Sequence, residues 1–388
     1  VFHDTDRRRR IPRAYIREIK HLSARCPTIL VPPIGTSMGA DRRVGYRAGV
    51  RHSTQQIEPG RSVTHPGPVT DDRVTAVRGR TRPHLVADLL AGSPSHSNAR
   101  GPGARFLVDA VTAAVDAAGA DSGIVEFSTV RLPHISYCFP AAGDGVRPML
   151  YSETHTSSGT VLEATATVGW RRRPSDEGES PADLERWVHF HASWVDDAGM
   201  LRGGHLWPET TVAGTLDRAT VWPLHGITLV NAFDDETALP VFTPVRAEAP
   251  ATAAPILRGD RDAVFARVRP NEEIHGAVRG LTTAHGLAGG AVRGGTGSFV
   301  GAMFDDGRVI EGPATEVISL ACRLDDTAAG PLTCSLITAR GTVASGRLAA
   351  EGNIVGATYD LLLTGPVETG SQPLSSSPHH RRRGGSGQ

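Results

Sequence analysis

The chain has 388 residues with 41 basic and 41 acidic side chains, so its formal net charge is zero. That length is enough for two or three domains, each with its own hydrophobic core. No apolar run is as long as a membrane-spanning helix, and the start lacks the order of a signal peptide, so we expect a cytoplasmic protein with no membrane partner.

The neutral total hides an uneven charge distribution. Residues 104–365 hold 20 arginines against 32 acidic residues, whereas the rest of the chain holds 21 basic residues against 9 acidic ones. An acidic body is a poor surface for a nucleic-acid backbone, which favours clustered cations. Binding to DNA would therefore have to use the basic ends of the chain.

The order of the segments predicts two folded units between irregular ends. The first 60 residues are rich in arginine and show no sustained period, which predicts a disordered or non-native basic arm. The end of the chain is of low complexity, which predicts a disordered tail. The predicted divisions are an arm (1–60), a first unit (61–246), a linker (247–262), a second unit (263–365) and a tail (366–388).

Each unit begins with a helix candidate made of small and apolar residues, within Ala104–Glu126 in the first and Asn271–Arg293 in the second. Short apolar strands follow in both units, and Glu163 in a strand of the first aligns with Glu316 in a strand of the second. One helix followed by several β-rich segments is an α+β pattern. We therefore predict two similar domains, each a small antiparallel β-sheet with a packed helix.

Three histidines lie in a strand–turn–strand segment of the first unit. His189 and His191 are two residues apart, so on a strand they share one face. His205 follows a glycine-rich turn, and a hairpin would bring its imidazole alongside the other two. Three neutral imidazoles with one open position are the ligand set of catalytic zinc, and they also suit other divalent transition metals.

A structural role for these histidines is the alternative. Strands often carry histidine, and Gly203 and Gly204 can serve only the geometry of a turn. The second unit offers an internal comparison, because all three candidate ligands are replaced there together, which favours their acting as a set. The aligned positions of the second unit are Thr333, Ser335 and Arg347.

Glu163 is the candidate catalytic residue. On a strand next to the histidines, its carboxylate could be a general base or a hydrogen-bond partner of an imidazole. The alternative is a strand acid without a chemical role. The sequence contains no Walker loop and no nucleophile elbow, so it identifies no reaction and leaves open whether the protein is an enzyme.

The order of these motifs resembles the plant-and-prokaryote-conserved (PPC) domain. The matching residues are His189-Phe190-His191, Asp197, Gly199, Gly203-Gly204-His205 and Glu316–Leu320. Arg61–Pro68 is similar to the entry strand of a bacterial subgroup with two such domains. The resemblance implies a tandem of PPC-like domains, the second degenerate, in a protein that usually forms trimers and can hold a metal at the histidines.

Three functions follow as hypotheses. We favour a metal-binding homo-oligomer, expected to be a trimer with zinc as the first candidate metal, in which the first unit has a small-molecule or enzymatic role. The family's DNA-binding label suggests a regulatory protein that binds DNA through its basic arms, at Arg7–Arg10 and Arg381–Arg383. The third hypothesis is a structural assembly module without chemistry.

Overall fold

The computed structural model describes residues 58–91, 105–172, 184–216, 218–247, 259–325 and 330–367. Almost all of the predicted arm, most of the linker and almost all of the tail lie outside these ranges. The described residues form mostly antiparallel sheets with three helices, which confirms the α+β class. No helix among them is long and apolar enough to cross a membrane.

The helices are α1 (Val86–Ala91), α2 (Leu107–Ala117) and α3 (Ile274–His285). The strands up to residue 172 are β1 (Val74–Thr81), β2 (His84–Leu85), β3 (Arg105–Phe106), β4 (Gly123–Phe127), β5 (Arg131–Cys138), β6 (Pro140–Ala142), β7 (Met149–Tyr151) and β8 (His155–Arg172). The strands from 184 to 246 are β9 (Leu184–Asp196), β10 (Leu201–Leu206), β11 (Thr211–Val212), β12 (Thr220–Pro223), β13 (Ile227–Asp234) and β14 (Leu239–Arg246). The later strands are β15 (Arg261–Val268), β16 (Ala291–Arg293), β17 (Gly297–Phe299), β18 (Ala302–Met303), β19 (Val309–Ile310), β20 (Thr315–Arg323), β21 (Thr333–Thr338), β22 (Val343–Arg347) and β23 (Val355–Thr364).

Two sheets dominate the described part of the chain. The large sheet has eleven strands in the order β2-β12-β4-β8-β9-β10-β5-β11-β3, and β13 pairs with β8 and with β14. The small sheet has eight strands in the order β1-β15-β23-β16-β20-β21-β22, and β17 pairs with β20 and β23. The pair β8–β13 is parallel, and the other described pairs are antiparallel.

The first strand does not lie where the sequence suggested. We expected an entry strand at Arg61–Pro68, but residues 61–73 contain no strand, so that expectation was wrong. Strand β1 begins at Val74 and pairs along its whole length with β15 of the small sheet. A segment assigned to the first unit therefore contributes to the sheet built mainly from residues after 259. The division into two PPC-like domains stays a prediction.

Each long helix covers the outer face of one sheet. In α2 the buried side chains recur at helical spacing, which gives the helix one apolar face: Leu107, Ala110, Val111, Ala114 and Val115. In α3 the Glu273 side chain accepts a hydrogen bond from the Gly276 amide at 2.8 Å, and Gly286 ends the helix at φ 64°. Both helices pack on apolar strand residues of their own sheet.

The inner faces of the two sheets pack against each other. Neighbouring residues of β4 show how the strand period divides the cores: Val125 belongs to the core under α2, whereas Ile124 belongs to a separate core between the sheets. This second core combines Trp222 and Phe242 of the large sheet with Phe265 of the small sheet. The layers therefore run helix, sheet, sheet, helix, and the histidine-bearing strands lie in the middle.

Two hairpins have the same register in the two sheets. In β9–β10 the turn glycine is Gly199, at φ 78°, and in β21–β22 it is Gly341, at φ 69°. When the hairpins are matched at these glycines, the facing pair Thr333–Arg347 corresponds to the facing pair His191–His205. The sequence alignment that matched Ser335 with His191 was therefore shifted by two residues.

The adjoining strands show a second shift of the same alignment. Strand β8 has a register shift between Val161 and Glu163, and β20 has one between Val317 and Ser319. Matched through these irregularities, Glu163 corresponds to Ser319. Glu316 lies three residues earlier, so the expected equivalence of the two glutamates was wrong.

Candidate metal centre

The three histidines lie on the face of the large sheet that points at the small sheet. His189 and His191 project from β9 on this face, whereas Phe190 points to the opposite face and packs in the core under α2. His205 lies in β10 directly opposite His191. The pairing of these two strands as a hairpin, predicted from the glycine-rich turn, is confirmed.

The imidazoles converge closely enough to share one ion. One nitrogen from each of His189, His191 and His205 lies within 4.8 Å of the others. Nε2 of His189 and Nε2 of His191 are 3.1 Å apart. Zinc–nitrogen bonds of about 2.0–2.1 Å in a tetrahedral arrangement place two ligand nitrogens roughly 3.3 Å apart. The spacing of the imidazoles therefore fits a common metal ion.

The small sheet fixes the orientation of two imidazoles. Nδ1 of His191 donates to the Val317 carbonyl at 2.8 Å. The Thr296 hydroxyl lies 3.0 Å from Nδ1 of His189, 2.9 Å from the Thr167 hydroxyl and 3.3 Å from the Asp360 carboxylate. A hydroxyl that donates its single hydrogen to the carboxylate accepts from Nδ1 of His189. The hydrogen-bond network thus assigns the Nδ1–H tautomer to both neutral imidazoles and leaves both Nε2 lone pairs available.

Two lone pairs that face each other at 3.1 Å need a proton or a cation between them. Burial lowers the pKa of His189, although Asp360 opposes the effect. Burial also lowers the pKa of His191, but the Glu316 carboxylate outweighs it, so that the pKa is raised. The pKa values of the two facing imidazoles are therefore shifted in opposite directions. A divalent cation at the same place would be bound by neutral imidazoles, which is how metals bind histidine.

His205 completes the cluster as a neutral ligand candidate. It is 8% exposed, and burial together with the other two histidines lowers its pKa well below the ordinary value. Its Nδ1 is 3.3 Å from the Tyr151 hydroxyl. A neutral imidazole has one free lone pair, so His205 can contribute a third nitrogen to the same ion.

Two carboxylates of the small sheet lie beside the cluster. Oε1 of Glu316 is 3.4 Å from Nε2 of His191 and 3.8 Å from Nδ1 of His205. Oδ2 of Asp360 is 3.8 Å from Nδ1 of His189. Neither residue was expected at the site from the sequence. A signal existed, because Asp360 interrupts the fully buried strand β23, and a buried charge is costly without a partner.

Glu163, the catalytic candidate from the sequence, lies on the same face of the large sheet as the histidines. It lines a second cavity, separate from the one over the imidazoles. This second cavity has a volume of about 640 Å³, and its walls include Ser193, Ser319 and Ser335. Glu163 is paired in register with Ser193, one strand position beyond His191 on the same face. A catalytic role for Glu163 stays a prediction, and Glu316 is the glutamate next to the imidazoles.

A cavity of about 160 Å³ opens over the histidines between the two sheets. Its walls combine the aromatic residues Trp187, Trp207 and Phe242 with the imidazoles and the carboxylates of Glu316 and Asp360. An apolar cavity with a few convergent polar groups is the usual form of a small-molecule site. The arrangement could hold a metal ion and a small ligand beside it.

The glycines before His205 allow the sheets to approach each other. A Cβ atom on Gly203 would lie 2.8 Å from Val343 Cγ2 and 2.9 Å from Ile337 Cγ1 of the small sheet. A Cβ atom on Gly204 would lie 2.6 Å from a ring carbon of Tyr137. Both glycines are within β10, so close packing explains them better than the turn geometry considered from the sequence.

No protein-family model matches the sequence, and no curated protein matches it. Among solved structures, a PPC protein from Pyrococcus horikoshii is 22% identical with a TM-score of 0.22, covering 26% of this chain and 77% of the other. A metal-containing protein from Archaeoglobus fulgidus is 14% identical with a TM-score of 0.25, covering 46% of this chain and 98% of the other. A candidate DNA-binding protein from Ralstonia eutropha JMP134 is 13% identical with a TM-score of 0.26, covering 36% and 84%. Likenesses this low do not decide the function.

Proposed function

We propose that His189, His191 and His205 bind one divalent transition metal, with zinc as the first candidate, and that the cavity above them accepts a small molecule. The observation that carries the proposal is the pair of Nε2 atoms 3.1 Å apart, each on an imidazole whose Nδ1 is held by the small sheet. Such outer hydrogen bonds are the usual support of metal-binding histidines.

The residues present fit the chemistry of such a metal. The three histidine nitrogens leave a position open to a water or a ligand. A bound metal would polarise a carbonyl or activate water there. The chain's own residues would orient the imidazoles through Thr296 and Val317, and Glu316 would lie beside the cluster as a hydrogen-bond acceptor.

Metal content tests this proposal directly. The full chain would be purified without a histidine tag and incubated with zinc, and its metals would be measured by elemental mass spectrometry. We expect about one ion per chain, and none in a variant with His189, His191 and His205 changed to alanine. A wild-type chain that retains no metal after incubation with zinc would refute the site.

We further propose that the chain is a PPC-like tandem that assembles as a homo-oligomer, with a trimer as the first candidate. The common register of the β9–β10 and β21–β22 hairpins supports an internal duplication. Light scattering of the full chain would give its mass in solution. A monomer at micromolar concentration would contradict this part of the proposal and would favour neither the metal site nor its absence.

DNA binding through the basic ends is the second candidate function. It rests on the charge of the two ends, residues 1–60 and 366–388, which hold 15 basic residues against 6 acidic ones. Arg7–Arg10 and Arg381–Arg383, which would carry this activity, lie outside the described residues. Deleting both ends should abolish a salt-dependent binding to duplex DNA. Metal bound at the histidines should be retained by the shortened chain.

A further inference from the structure

The cavity over the histidines has the size of a six-membered ring. Its volume of about 160 Å³ is close to that of an engineered 150 Å³ cavity that binds benzene. The part of the wall away from the imidazoles is apolar, with Trp187, Pro240 and Phe242 among its residues. A ligand with a small apolar body and one polar end would fill this space.

Glu316 lies at the polar end of the cavity, beside the imidazoles. Its side chain is 6% exposed, and its Oε2 atom accepts no hydrogen bond from the described residues. Oε1 lies 3.4 Å from His191 and 3.8 Å from His205. A molecule that approaches the imidazoles therefore also meets this carboxylate. Because an unsatisfied buried acceptor is costly, a ligand that donates a hydrogen bond to Glu316 gains affinity.

The charges around the cavity oppose an anionic ligand. The described lining contains the carboxylates of Glu316 and Asp360 but no arginine or lysine. Asp360 accepts a hydrogen bond from Thr296 on Oδ2, and Oδ1 of Asp360, like Oε2 of Glu316, accepts none from the described residues. Glu316 is the carboxylate nearer to His191 and His205. The carboxylates of Glu316 and Asp360 together balance the charge of a bound divalent cation, so the site has no net positive charge to attract an anion. A further carboxylate next to Glu316 would face like charge in a buried place.

We propose that Glu316 determines the ligand class of this site: an uncharged, ring-sized molecule whose carbonyl or hydroxyl oxygen points at the histidines while an N–H or O–H group donates to Glu316. A primary amide has both groups in one plane. A carboxylate of the same shape has the oxygen but lacks the donor, and it carries the charge that Glu316 repels. This inference rests on the proposed metal site, because the ligand oxygen is assigned to the open metal position.

Benzamide and benzoate provide a matched pair of probes. Their dissociation constants would be measured with the zinc-loaded full chain by ligand-observed NMR titration. We expect benzamide to bind at least about tenfold more tightly than benzoate, since like charges next to each other are strongly disfavoured. Equal affinities, tighter binding of benzoate, or no binding of either probe would overturn the inference without any variant being made.

Two variants assign the preference to one residue. In Glu316→Gln the charge is lost and a donor is gained, so the preference for benzamide should disappear or reverse. Glu351→Gln changes an exposed glutamate that does not line this cavity and should leave the preference as in the wild type. An unchanged preference in Glu316→Gln would refute the assignment. Metal analysis of each sample separates the two proposals: absence of metal from the wild type refutes the metal site and the inference with it, whereas bound metal without the preference refutes the inference alone.

Discussion

The hairpins β9–β10 and β21–β22 have the same register and a glycine at the same turn position, yet only the first carries a candidate site. His191 and His205 face each other on a buried surface, whereas Thr333 and Arg347 face each other where both are exposed. Val317 and Thr296 of the opposite sheet hold the imidazoles of the first hairpin. Arg347 instead pairs with the exposed Asp305. The difference indicates that a shared backbone is not sufficient for a metal site. The candidate ligands occur in the hairpin that another sheet covers.

The largest expected effect comes from removing one imidazole from the covered hairpin. His191→Ala should release nearly all of the bound metal, because two remaining histidines rarely hold a transition metal against dilution. Thr333→Ala changes the corresponding position of the other hairpin and should leave the metal content unchanged. Elemental mass spectrometry of both variants after gel filtration makes the measurement. Equal metal loss in the two variants would show that the metal is not held by the covered hairpin alone.

The next largest effect is expected where the two sheets are joined beside the cavity. Strand β14 supplies part of the cavity wall. Its partner β13 is attached to the small sheet where Asp234 forms an ion pair with Arg267 at 2.8 Å and accepts a hydrogen bond from Arg269 at 3.0 Å. Arg267 is 2% exposed, so removing its partner leaves a buried charge. Asp234→Asn should lower the free energy of unfolding by about 3–5 kcal/mol at pH 7, measured by urea denaturation.

The same variant has a distinct pH dependence. Burial raises the pKa of Asp234, but Arg267 and the hydrogen bonds from Thr237 outweigh it and hold the pKa below its ordinary value. The folded chain therefore binds fewer protons than the unfolded one in the acid range, and stability falls as the pH drops below about 4. The difference in stability between wild type and Asp234→Asn should shrink from pH 7 to pH 3. A constant difference over that range would contradict the pKa assignment.

A smaller effect is expected from the hydroxyl that orients His189. Thr296→Val keeps the shape of the side chain but removes the acceptor of the Nδ1 hydrogen bond. Metal affinity should fall about 10–100-fold, the usual cost of losing an outer partner of a ligating histidine. Competition with a chelator of known affinity gives the value. Thr296→Ser retains the hydroxyl and should restore most of the affinity, and failure of this rescue would point to packing instead.

The close packing of the two hairpins is expected to have a similar or smaller effect, on stability. A side chain at Gly203 would meet Ile337 and Val343, so Gly203→Val should cost about 1–3 kcal/mol of stability through overpacking. The corresponding position of the second hairpin is the exposed Ser345, where the same valine should change stability by less than about 0.5 kcal/mol. Thermal unfolding of both variants would compare them. An equal loss of stability at both positions would mean that the two hairpins do not differ in how tightly these positions are packed.

The sequence predicted what depends on local pattern. The α+β class followed from helix and strand periods, and the pairing of His191 with His205 followed from a strand, a glycine-rich turn and a second strand. The partners of the imidazoles could not be found this way. Val317 is 126 residues from His191, and Thr296 is 107 residues from His189, so these contacts exist only once the sheets pack. The two-residue error at Ser335 and the misplaced equivalence of Glu163 have a similar origin, because the correct matches follow from which strand residues face each other.

The smallest effect should come from an attempt to make the second hairpin resemble the first. In a chain whose three histidines are replaced by alanine, Thr333→His and Arg347→His would recreate a facing pair of imidazoles. The position that corresponds to His189 is Pro331, which precedes β21, so no third ligand is available there. The new imidazoles would also be exposed, without carbonyl or hydroxyl partners to fix their tautomers. We therefore expect metal binding at least about 100-fold weaker than in the wild type, measured by the same chelator competition. Stoichiometric metal in this variant would show that a pair of facing histidines is enough to bind the metal. The covering sheet would then be required by the small ligand in the cavity and not by the metal.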